Sequence, residues 1–179
     1  MELNMDCVVP IDSFVRLLPK RPSVCIGVGF LASRRSGLEV IRGMDLVGQL
    51  ALGWMGQSHS RACVVRSTDR LHAARSAEPG LQEVYWDWLV ESGKVPSEFS
   101  GQVLRDVAGL TKIRGEHGLV LIELGSTDSP TALHASRLCD GLVLVAQSAD
   151  RSVGKSKAQL GSFERSDCRW LGYWTVDPV

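Results

Sequence analysis

Short, uninterrupted apolar runs are the feature that most constrains how this chain can fold. SVCIGVG (Ser23 to Gly29), ACVVRS (Ala62 to Ser67), LVLIEL (Leu119 to Leu124) and GLVLVAQ (Gly141 to Gln147) are rich in β-branched residues, and RWLGYWTV (Arg169 to Val176) closes the series. A strand with one solvated face alternates apolar and polar residues, whereas a run without alternation fits a strand covered on both faces, as in parallel sheets. Between the runs lie stretches with helical periodicity: Gly37 to Gln57, Leu81 to Ser92, Gly101 to Arg114, Pro130 to Leu138 and Ser152 to Phe163. Strands alternating with helices build βαβ units, so the expected class is α/β, a doubly wound and mainly parallel sheet with helices on both faces. SVCIGVG, ACVVRS, LVLIEL and GLVLVAQ are expected at its centre.

The length of 179 residues suits a single domain with a full hydrophobic core, preceded by an N-terminal extension over residues 1–22. Twenty basic and twenty acidic side chains cancel and form no long block. That balance argues against a nucleic-acid partner, which selects for a basic excess. The five cysteines are widely spaced, with no CxxC pair and no histidine at ligand spacing, so no metal site is expected. Cys25 and Cys63 sit inside apolar runs and read as buried core thiols. Such cysteine usage, the absence of a span-length apolar run and the lack of a leader-like layout in MELNMDCVVP together lead to an expected cytoplasmic location without membrane insertion.

Ligands of doubly wound sheets bind outside the carboxyl ends of the strands, where the strand order reverses. The turns of interest are therefore FLASRRSG, RSTDR, LGSTDSP and QSADRSVGK. In the first, Arg34, Arg35, Ser36 and Gly37 precede an expected helix N-terminus, where backbone N–H groups and the dipole attract anions. They are candidates for holding a phosphate, the alternative being a solvated turn. Glu123 ends an apolar strand and is either a metal-organising acid or a carboxylate satisfied by neighbouring donors. Asp69 and Asp128 are further candidates at the switch point. GVG at Gly27 to Gly29 has a dinucleotide-loop flavour without the third glycine or the following acid. Ser126, Asp128 and His134 lie close in sequence, but no G-x-S-x-G elbow accompanies them.

Taken together, the turns resemble the bacterial tyrosine kinase and capsule-assembly ATPase family, relatives of the partition-type P-loop ATPases. LVLIELGSTDSPTALHASRLCDGLVLVAQSADRSVGK is similar to that family's second half, with Glu123 at the strand-end acid, Ser129–Pro130 in the turn and Asp140–Gly141 opening the next strand. EPGLQEVYWDWL is similar to its "pGLsdvL" stretch. The resemblance implies a P-loop NTPase-like fold, and it makes the departures informative. FLASRRSGLE has one glycine, Gly37, no lysine, and Leu38 and Glu39 where the metal-binding hydroxyls belong. ACVVRSTDR carries Arg66 and Thr68 where the family has an acid, with only Asp69 nearby.

Phosphoryl transfer is almost all positioning and electrostatic stabilisation, so losing the lysine, the hydroxyl and the acid together removes most of the catalysis. The expectation is a catalytically degenerate protein with no catalytic residues and no resident cofactor beyond vestigial ATP or phosphate binding. It would act through a protein partner, a second copy or a membrane-associated assembly protein, in bacterial polysaccharide assembly. The alternatives are a divergent active ATPase or tyrosine kinase using Arg34, Arg35 and Glu123, and a partition or cell-division regulator sharing the fold.

Overall fold

The computed structural model describes residues 11–30, 46–67, 81–86, 102–104, 107–126, 130–147, 161 and 169–176. In chain order these form α1 (Ile11–Leu17), β1 (Val24–Phe30), α2 (Leu46–Ser58), β2 (Ala62–Ser67), β3 (Leu81–Trp86), β4 (Gln102–Leu104), α3 (Val107–Glu116), β5 (Leu119–Ser126), α4 (Pro130–Ser136), β6 (Gly141–Gln147) and β7 (Trp170–Val176). Among the described residues the strands make one seven-stranded sheet, ordered β4-β3-β2-β5-β1-β6-β7. Every neighbouring pair is parallel. The four runs expected at the centre are the four central strands, β2, β5, β1 and β6.

Their lack of alternation has the expected cause. All seven residues of β1 are buried. Val24, Ile26, Val28 and Phe30 face one side of the sheet, with Leu119 and Leu121 of β5 and Val64 of β2, under Leu46, Val47, Leu50 and Ala51 of α2. Phe14 of α1, inside the expected N-terminal extension, joins this cluster and is fully buried. The opposite face carries Cys25, Cys63, Val65, Val120, Ile122 and Leu144 beneath Leu110 and Ile113 of α3 and Ala132 and Ala135 of α4. Helices thus cover both faces, and Cys25 and Cys63 are buried thiols as read from the sequence. Among the described residues no helix is long and apolar enough to cross a membrane.

Two segments differ from their expected form. Leu81 to Ser92 was expected as a helix, but Leu81–Trp86 is a strand paired with β2, Val84 beside Val65 and Trp86 beside Ser67. Trp86 is fully buried and reaches the core from a strand. Gly101 to Arg114 was expected as one helix; it divides into β4, paired with β3, and α3. Tertiary pairing along the growing sheet edge overrides the local helical pattern in both places. The expected helix Ser152 to Phe163 falls, apart from Gly161, outside the described residues.

The amino ends of β1 and β6 are fastened by Asp140, which directly precedes β6. Its carboxylate accepts the Cys25 N–H at 2.8 Å and Arg114 Nη2 at 2.7 Å, while its own N–H donates to the Cys25 carbonyl at 2.7 Å. Gly141 follows because β7 leaves no room for a side chain. A Cβ there would lie 2.6 Å from Leu171 Cδ1 and 2.7 Å from Leu171 Cγ. Gly141→Ala is therefore expected to cost about 1–3 kcal/mol through overpacking. Its urea midpoint should fall, and a wild-type midpoint would show that β7 yields freely.

Candidate functional site

The chain reverses its winding direction between β1 and β5. From β1 it passes over the first face, through α2, to β2 on one side; from β5 it passes over the second face, through α4, to β6 on the other. The crevice beyond the carboxyl ends of β1 and β5 is thus the place where a doubly wound sheet binds ligands. Arg34, Arg35, Ser36 and Gly37, which follow β1, lie outside the described residues, as do Asp69 after β2 and Asp128 after β5. Glu123 is described, and it stands next to this crevice on β5.

Local backbone shape sets where Glu123 points. Glu123 pairs with Val28, and the next pairing is Gly125 with Gly29, so Leu124 is an extra residue in β5. Gly125 takes φ +69°, a left-handed conformation that glycine adopts without strain. Leu124 turns into the second face with Ile122. Glu123 is left on the first face, in line with Leu119 and Leu121, and is only 3% exposed. Gly27, the first glycine of GVG, has a packing reason: a Cβ there would meet Leu124 Cδ1 at 2.9 Å and Cys139 Sγ at 3.1 Å.

A buried carboxylate needs polar partners, and Arg66 is one of them. Val65 lies opposite Ile122 in the parallel register of β2 and β5, which brings Arg66, the next residue, alongside Glu123. Arg66 Nη1 donates to Glu123 Oε2 at 3.3 Å. The other edge of the guanidinium reaches the next strand, with Nε at 3.1 Å and Nη2 at 2.9 Å from Glu83 Oε1 on β3. Tyr85 Oη makes a longer contact, 3.5 Å, with Glu83 Oε2. One planar fork therefore ties β3, β2 and β5 together, and its donors are spaced to hold two acids at once.

This arrangement does not fit a divalent cation. Magnesium requires oxygen ligands at about 2.0–2.1 Å in near-octahedral order. At Glu123 the donor set instead includes a guanidinium that never loses its proton. A doubly charged ion roughly 4 Å from that group would meet repulsion on the order of 8 kcal/mol at the effective dielectric of a protein site. Among the described residues there is also no group of three or more His, Cys, Asp or Glu placed to hold a metal.

The sequence marks Glu123 as a site candidate and Arg66 only as the residue displacing an acid. Glu83 and Tyr85 carry no such mark, because LQEVYW has a helical pattern. Strand alternation would have put both on one face with Arg66. Of the serine–histidine–acid candidates, His134 lies exposed on α4 and Asp128 is outside the described residues.

No family model and no curated protein sequence matches the chain. Solved structures do. The BceF tyrosine kinase domain superposes with a TM-score of 0.60 at 15% identity, covering 94% of this chain and 73% of that one. The chimerical protein CapA2B2 gives 0.63 at 14% identity, with 94% and 80% covered. The kinase domain of the Escherichia coli tyrosine kinase ETK gives 0.56 at 11% identity, with 92% and 71% covered. The class of the protein follows: an α/β, P-loop NTPase-like fold with an all-parallel sheet. More narrowly, it is the fold of the bacterial tyrosine kinase domains.

Proposed function

We propose that this chain is a catalytically degenerate relative of the bacterial tyrosine kinase and capsule-assembly ATPases, a pseudoenzyme that works by binding a protein partner. The observation that carries the reading is the Arg66–Glu123 pair. The acid at the strand end, where such a fold organises a metal and its phosphates, is neutralised from within by a neighbouring strand. The sequence of the β1 turn agrees, since it lacks the lysine and the hydroxyl that would hold phosphate and cation. Without those three elements, bound nucleotide would be neither positioned nor electrostatically activated. What remains for selection to use is the surface of the fold, offered to a second copy or to a membrane-associated component of polysaccharide assembly.

The deciding experiment is ATP turnover by the purified chain with Mg²⁺. Phosphate release should equal the buffer blank, and Glu123→Gln should leave that rate unchanged. Turnover above the blank that vanishes in Glu123→Gln would overturn the reading and put a divergent, active ATPase or tyrosine kinase in its place.

A further inference from the structure

We infer that Arg66 is a built-in counter-ion that permanently holds the place of a divalent cation at the switch point, so that the crevice works without metal. The inference deepens the reading above and rests on it. A cation-dependent site of this fold needs a positive charge beside the strand-end acid, and it draws that charge from solution, where it can be removed or exchanged. Here the charge is covalently part of β2. It lies in the sheet register beside Glu123 and is shared with Glu83 on the far side.

Three features separate a counter-ion from an incidental surface pair. The Arg66 side chain is 10% exposed and Glu123 3%, so the pair is sheltered from screening. The fork contacts carboxylates on both neighbouring strands, which a monovalent ammonium on a flexible stem does less well. The cluster also lies on the face that α2 covers, two residues beyond Val64 in β2 and two beyond Leu121 in β5. Loss of the guanidinium would leave two glutamates converging on one space, a donor set of oxygens suited to a hard divalent ion.

Mn²⁺ is the probe, with free ion followed by electron paramagnetic resonance during titration of the full chain. Wild type should bind no stoichiometric Mn²⁺ at millimolar concentrations. Arg66→Ala should gain one bound Mn²⁺ per chain, and the Arg66→Ala/Glu123→Gln variant should lose it again. Wild-type binding that disappears in Glu123→Gln would overturn the inference, as would an Arg66→Ala protein that folds and binds none. If Arg66→Ala does not fold in metal-free buffer, recovery of the native circular dichroism on refolding with Mn²⁺ supports the inference, and failure to recover overturns it. The two readings fail separately. ATP turnover with no Mn²⁺ at Glu123 would sink the pseudoenzyme and spare the counter-ion, whereas Mn²⁺ on wild-type Glu123 without turnover would do the reverse.

Discussion

Arg66→Met is expected to destabilise the protein by about 3–5 kcal/mol, a loss usually reserved for large core deletions. Methionine keeps most of the length and packing of the arginine stem, so little of that cost comes from a cavity. The cost comes from Glu123, which stays 3% exposed and loses its cation. Removing one partner of a buried pair leaves the other charge desolvated, and that is far worse than never having had the pair. For a chain of this size the corresponding fall in melting temperature is roughly 6–20 °C.

The same physics predicts how the loss is repaired. Adding Glu123→Leu to Arg66→Met replaces the buried carboxylate with an apolar group and should restore most of the stability. Glu83, whose side chain is 16% exposed, retains access to water and needs no second substitution. Guanidinium denaturation measures both variants, with an unchanged slope required for the comparison to be one of stability alone. An Arg66→Met protein within about 1 kcal/mol of wild type would mean that Glu123 is satisfied without its arginine. The counter-ion role would then have no energetic basis.

The central sheet could be read from the sequence because its signal is local. VCIGVGF, ACVV, LVLI and GLVLV carry no polar interruption, and burial on two faces is the simplest condition that permits such runs. β3 escaped because LQEVYW contains Gln82 and Glu83, which break the apolar run and mimic a helix. Glu83 is there for the ion pair, so the residue that hid the strand is also the one that built the site. Arg66 posed a related difficulty. Its charge in an otherwise apolar strand could be noticed, but its partners are set by the parallel register of three strands, β3, β2 and β5. Glu83 lies 17 positions from Arg66 in sequence and Glu123 lies 57, and no single-chain periodicity encodes those meetings. A rule that any charge inside a predicted two-faced strand must find an opposite charge would have flagged Arg66 and Glu123 together.

The second large effect concerns pH and the opposite face of β2. Cys63 is fully buried there beside Val65 and Val120. Its thiol is pushed up from 9.0 to about 12, chiefly by burial, with smaller contributions from Cys25, Glu83 and Glu116. Because the folded-state value is raised, the stabilisation is fully present below pH 9, where both states hold the proton. Above pH 9 the unfolded chain releases that proton and the folded chain keeps it, so stability falls as pH rises towards 12. The loss should approach about 1.4 kcal/mol per pH unit and about 4 kcal/mol over the whole interval. Tyrosines and lysines titrate in the same range, so the informative quantity is the difference between wild type and Cys63→Ala. Below pH 9 wild type should be the more stable by its packing advantage; above it the gap should close and then reverse, because alanine has no proton to lose. Urea midpoints along that pH series provide the measurement, and a gap that stays constant would show that the folded thiol ionises as freely as the unfolded one. β2 would carry the same lesson on both faces: a group that can become neutral is kept neutral at Cys63, and one that cannot, Arg66, is met by two acids.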